Sequence, residues 1–249
     1  MNLLSGYILA VAVLAYASFS DVKTREVSDL VWVLGCAAAL LLDAWLVLRG
    51  ELQPLQLAFS VTASAALAAA FYFLGLVGGA DALALVFVGL AVPAYPEGFH
   101  ADPFPPVFAV VCNSAMLSLA CPVAVFAFNL ADILRRKNPF ESVEVGGLGE
   151  LLVLMFTARR VSVDKLKSLH YFPSERPVVE GGRIVRKPVL FVRAEEDVSA
   201  IVAEVEAKRN AYADGVLASP TLPMVVFLTL GLAVLPFGNM LLHLLRLFV

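Results

Sequence analysis

Long apolar blocks separated by short polar breaks run through most of the chain, and their lengths define its elements. Leu3–Phe19, Leu30–Leu48, Leu55–Val77 and Val107–Leu130 carry no charge apart from Asp43. Each is close to the ~20 residues that cross a bilayer as a helix. Asp81–Tyr95 is shorter and stops at Pro93 and Pro96, while Leu222–Val249 is long and interrupted by Pro223 and Pro236. Six transmembrane helices are expected, the fifth bent at Pro122 because proline removes a helical hydrogen bond.

Between Asp132 and Ala218 the pattern changes. This stretch holds 14 of the 18 Lys and Arg and 13 of the 21 Asp and Glu, so it reads as a solvated domain. Leu148–Ala158 follows three glycines, ends at Arg159-Arg160, and predicts a short helix lying on the membrane. Pro177–Arg186 predicts a hairpin around Gly181-Gly182, and Val189–Arg193 a further strand. Val198, Ile201, Val202 and Val205 have helical spacing and predict a helix over Asp197–Asp214. The expected fold class is therefore an all-α polytopic membrane protein of six transmembrane helices, with a small α+β domain inserted before the last helix. Residues 1–131 form the membrane domain, 132–218 the insert and 219–249 the sixth helix.

Composition narrows the function classes. The chain is 60% hydrophobic and 16% charged, with a mean hydropathy of +0.85, which sets it apart from ordinary water-soluble domains. A net charge of −3 leaves no basic surface for nucleic acid. Cys36, Cys112 and Cys121 are far apart in apolar blocks, which excludes a Cys-x-x-Cys metal or redox pair. His100, His170 and His243 lie on different segments, and neither an HExxH helix nor a GxSxG nucleophile turn occurs. No metal and no cofactor are expected.

The basic residues orient the chain. With the N-terminus outside, Lys23, Arg25 and the 14 in the insert fall inside, leaving Arg49 and Arg246 outside. Positive charge accumulates on the cytoplasmic side of membrane proteins. The expected setting is the cell membrane, multi-pass, with the insert in the cytoplasm.

Two acids then stand out. Asp21 closes the first apolar block, and Asp81 follows Gly78-Gly79-Ala80 at the start of the fourth. Carboxylates at such junctions are costly and call for a reason. In the expected topology both lie at the cytoplasmic boundary. A pair of neighbouring carboxylates shares a proton. The ionised member can deprotonate a water while the protonated one polarises a peptide carbonyl, so an amide is hydrolysed without metal, thiol or serine. Gly78 and Gly79 allow a backbone to approach Asp81 closely. Taken singly, each acid has a plainer reading: Asp81 as a helix cap, Asp21 as an interfacial acid beside Lys23 and Arg25. Asp43, near the outer end of its block, reads as a snorkelling group or an inter-helix hydrogen-bonding one, and Glu150 as a helix N-terminal acid.

The segment from Asp21 to Asp29 together with Gly78-Gly-Ala-Asp81 resembles the two motifs of the GxGD aspartyl proteases, in particular the type IV prepilin and archaeal preflagellin peptidases. The resemblance implies that Asp21 and Asp81 are the catalytic pair, with Gly78, Gly79 and Ala80 as motif support. Ala80 stands where the family motif has its second glycine. It implies an aspartic endopeptidase that removes the short basic leader of preflagellin or pilin-like precursors at the cytoplasmic boundary. Bacterial members carry a cytoplasmic pair of Cys-x-x-Cys motifs and often methylate their product; those cysteines are missing here, so N-methyltransferase activity is not implied. The alternatives are a presenilin-like or signal-peptide-peptidase-like protease, whose Tyr-Asp and Pro-Ala-Leu motifs the chain lacks, and a small transporter or membrane scaffold.

Overall fold

The computed structural model describes residues 3–167, 171–180, 183–190 and 198–248. Ten helices and five strands follow one another among them. The helices are α1 (Leu3–Thr24), α2 (Asp29–Leu48), α3 (Pro54–Phe73), α4 (Gly79–Ala91), α5 (Pro106–Ser118), α6 (Ala120–Leu134), α7 (Leu148–Thr157), α8 (Val198–Ala207), α9 (Met224–Val234) and α10 (Met240–Arg246). The strands are β1 (Arg159–Val161), β2 (Tyr171–Pro173), β3 (Glu175–Glu180), β4 (Arg183–Pro188) and β5 (Val216–Pro220).

Among the described residues, α1, α2, α3 and the run Pro106–Leu134 are long and apolar enough to cross a membrane. The pair formed by Met224–Phe237 and Met240–Arg246, bent by 53°, makes a fifth if it counts as one span. The expected fourth span is the exception to the length rule. Its helix, α4, has 13 residues, roughly 20 Å at 1.5 Å per residue. Pro122 does not bend a continuous fifth helix at its own position. The break between α5 and α6 falls at Leu119, which places Pro122 in the first turn of α6, where its missing N–H costs little.

The chain forms two compact units, Met1–Ser118 with Pro223–Val249, and Leu119–Leu222. By its contacts α6 thus groups with the second unit, whereas the sequence reading assigns it to the membrane domain.

In the first unit α4 is the central helix. It packs against α1, α2, α3, α5 and α9, and Ala84, Leu85 and Phe87 through Ala91 are all buried. Small residues let its neighbours approach. A Cβ on Gly89 would overlap the Ser64 side chain of α3, and one on Gly6 would overlap the Ala91 carbonyl oxygen. Ser60 Oγ donates to the Gly89 carbonyl oxygen at 2.8 Å. Hydroxyls also join α1 to α9: Ser18 Oγ and Thr229 Oγ1 are 2.7 Å apart, and Thr229 Oγ1 donates to the Leu14 carbonyl oxygen at 3.2 Å.

The second unit combines a helical hairpin, α6 with α7, and two small antiparallel sheets, ordered β1-β5-β2 and β3-β4. The predicted hairpin is present as β3 and β4, with Glu175 opposite Pro188 and Glu180 opposite Arg183; its turn at Gly181-Gly182 lies outside the described residues. Of the expected strand Val189–Arg193, Val189 and Leu190 are not in a strand and the rest lies outside the described residues. The expected helix ends earlier than Asp214, giving way to a short 3-10 turn at Arg209–Tyr212. An ion network joins the strands. Glu175, fully buried, accepts from Arg186 Nη2 at 2.7 Å and Nε at 3.0 Å and from the Leu217 N–H at 2.7 Å. Arg186 also donates to Asp214 Oδ1 at 2.5 Å and lies over the Tyr212 ring.

Candidate active site

Asp21 belongs to α1 rather than to the loop beyond it. Gly6, Ala10, Leu14 and Ala17 form the buried stripe of α1, and Asp21 continues it at the next helical step, since residues three or four apart share a face. The acid is half-buried, and its Oδ2 is enclosed with no hydrogen bond from a described residue. Its position in the last helical turn is electrostatically poor for a carboxylate, because the helix dipole is negative there. Helix stability gives no reason for an acid at this point.

Behind Asp21 the backbone turns sharply. Arg25 has φ +57°, the left-handed region that disfavours side chains, and its N–H donates to the Asp21 carbonyl oxygen at 3.0 Å. Such a conformation costs about 1–2 kcal/mol in a residue with a Cβ. Hydroxyls hold the turn in place: Ser20 Oγ and Thr24 Oγ1 both donate to the Glu26 carbonyl oxygen, at 2.9 and 3.0 Å. Arg25 is also the cation whose charge acts on Asp21. The basic loop is visible in the sequence, but nothing in the sequence marks Arg25 as its strained residue.

Asp81 lies in the first turn of α4 and its Oδ2 accepts the Gly78 N–H at 3.3 Å. The capping role weighed from the sequence is therefore real. The first unit also packs α1 against α4. The helices that carry the two sequence-predicted acids are therefore neighbours.

The glycines before Asp81 are not required by the folded chain. Gly78 has an ordinary φ of −79°, a Cβ there would make only normal contact with Asp81, and a Cβ on Gly79 would meet nothing within 4 Å. Ala80 precedes Asp81 inside α4. Gly75 is different: at φ +69° it ends α3, its N–H donating to the Tyr72 carbonyl oxygen and that of Leu76 to Phe71, the double bond pattern of a glycine-terminated helix. It ends α3 in a fixed turn just before the segment that leads to Asp81.

Other acids have other surroundings. Asp43 is 2% exposed, so it does not snorkel to the surface; it continues the buried stripe of Trp32, Gly35 and Ala39 on α2. Glu150 accepts the Gly146 N–H at 2.6 Å at the start of α7, as expected of a helix N-terminal acid. No cluster of three His, Cys, Asp or Glu able to hold a metal occurs among the described residues.

A predominantly helical chain with several membrane-length apolar helices defines a multi-pass membrane protein. The comparison with protein families makes this more specific. Residues 8–137, just over half of the chain and inclusive of both acids, match the type IV leader peptidase family, and the chain belongs to that family. It is also 24% identical over 241 residues to the preflagellin peptidase of Methanococcus voltae, an alignment covering 93% of this chain and 94% of that one. The protein is a membrane leader peptidase.

Proposed function

We propose that Asp21 and Asp81 are the catalytic pair of an aspartic endopeptidase that removes the leader of preflagellin or pilin-like precursors. The observation that carries this reading is the packing of α1 against α4, the two helices that bear these acids, with Asp21 in a position that helix stability does not favour. One carboxylate, ionised, takes a proton from water; the resulting hydroxide adds to the scissile carbonyl carbon, whose oxygen is protonated by the other. Collapse of the tetrahedral intermediate returns a proton to the leaving amine and yields an acid and an amine. Open space beside Gly79 supports close approach of an extended substrate backbone.

The same reading gives six spans, with α4 as a short central one. The N-terminus is outside, and both acids and residues 132–218 are cytoplasmic, in keeping with the distribution of basic residues. The apolar helix of the precursor then stays in the lipid while its basic leader meets the aspartates from water. The missing cysteine motifs support a peptidase without N-methyltransferase activity.

Leader cleavage in membranes containing Asp21→Asn or Asp81→Asn protein tests the assignment. Loss of cleavage in both, with unchanged accumulation, is expected; substantial turnover in either folded variant refutes the two-aspartate mechanism.

A further inference from the structure

In the second unit, α7 carries a wide apolar face. Leu151, Leu154 and Met155 face inward, against α6, the loop around Phe140 and Val143, and Leu217 of β5. Next to them Leu148 is 73% exposed, and Leu152, Val153 and Phe156 are partly exposed. Exposed apolar surface of this kind on a folded domain marks a contact surface.

α7 is tied to the last part of the apolar run Pro106–Leu134. Phe156 stacks on Phe126 with ring centroids 4.5 Å apart, and the buried Asn129 amide donates to the Met155 and Ala158 carbonyl oxygens at 2.9 and 2.8 Å. The final carbonyls of a helix have no partner within it, and backbone polar groups without a partner are excluded from hydrocarbon. Asn129 meets that requirement at the end of α7.

Between α6 and α7 lies a groove of about 670 Å³, lined by Ile133, Phe140, Val143, Leu151, Leu152 and Met155, with Arg136 and Asn138 at its polar edge. Arg136 is held at φ +59° immediately after α6, and Arg135, Arg136 and Lys137 are all exposed. Leu134, 76% exposed, adjoins them. An apolar trough lined in part by Arg136, with exposed Arg135 and Lys137 on either side of it in sequence, is complementary to an acyl chain carrying a negative headgroup.

We infer that the α6–α7 hairpin is a lipid-binding element, taking an anionic membrane lipid with its chain in the groove and its headgroup at Arg135, Arg136 and Lys137. The surface attraction of such lipids for a basic residue is worth about fivefold in affinity. The inference is independent of the two-aspartate mechanism.

The test uses the full-length chain with its three native cysteines replaced by alanine and a single cysteine at Leu152 or Phe156. A dye at that cysteine is exposed to brominated lipid in nanodiscs of phosphatidylcholine alone or with phosphatidylglycerol. Quenching at both sites, stronger by brominated phosphatidylglycerol than by brominated phosphatidylcholine, is expected. Arg136→Gln should reduce that preference roughly fivefold, with Arg135→Gln and Lys137→Gln acting in the same direction. Dyes quenched by a water-soluble agent and untouched by either lipid overturn the inference. So does shielding that appears only when precursor protein is added, which would make the face a protein-docking surface. Equal quenching by both lipids that survives all three substitutions refutes the anionic headgroup site.

Discussion

Asp81 accepts the Gly78 N–H through Oδ2 at 3.3 Å, so the carboxylate proposed for catalysis also caps α4. The two roles are separable by substitution. Asn keeps an oxygen that can cap the helix but cannot exchange a proton in the useful range. Asp81→Asn is therefore expected to leave helix content and melting temperature near wild type while cleavage falls by about 10²–10⁴-fold, the usual contribution of a positioned acid or base. Asp81→Ala should lose the cap as well, and about 1 kcal/mol of stability with it. Circular dichroism and a leader-cleavage assay on the same preparations check both statements.

The contact between α3 and α4 sets the position of the helix that carries Asp81. Gly89→Ala places a methyl group into Ser64, and overpacking of this kind costs about 1–3 kcal/mol. A lower melting temperature in detergent is expected, together with reduced cleavage. Adding Ser64→Gly should recover part of both. No recovery would mean that the damage does not arise from this contact.

In the second unit, Arg186 is 6% exposed and its partner Glu175 is fully buried. Removing one member leaves an uncompensated buried charge, so Arg186→Met is expected to destabilise by about 3–5 kcal/mol. The double variant Glu175→Met/Arg186→Met should recover most of that loss. Chemical denaturation followed by fluorescence of a dye attached to this unit measures the cycle.

Asp214 gives this unit a pH dependence. Burial works against its charged form, but hydrogen bonds from Ser142 and Arg186 and the charges of Arg160 and Arg186 outweigh burial and hold the carboxyl below the usual carboxylate range. The folded state thus binds its proton less readily than the unfolded chain. The stabilisation is fully present above the ordinary carboxylate value of about 3.9 and is lost as pH falls through the lowered folded value. Acid titration of the unit should show this loss, and Asp214→Asn should flatten it. Because the Asp214 side chain is 43% exposed, a modest effect is expected.

Much of the first unit was legible because membrane helices announce themselves by uninterrupted apolar length, and α1, α2 and α3 begin within two residues of the blocks that predict them. The acids were legible for the same reason, as charges at the edges of blocks without charge. Boundaries set by hydrogen bonding were not. Asp21 lies inside α1 because the helix continues to Thr24 through a polar stretch. The break at Leu119 precedes the proline that signals it. Small residues that decide helix approach, such as Gly89 against Ser64, carry no one-dimensional mark, since their partners are distant in sequence. Likewise, the joining of Glu175, Arg186 and Asp214 depends on strand pairing that charge counting does not reveal.

The hydroxyl link between Ser18 and Thr229 spans 211 positions of sequence, and this separation imposes an order of events on biosynthesis. Translation at about 5–20 residues per second delivers Thr229 roughly 10–40 seconds after Ser18. Throughout that interval α1 lacks the helix that holds one of its sides. The helix bearing Asp21 gains this support only once α9 has been made, so a chain stalled before α9 contains both aspartates but lacks the contact that holds α1.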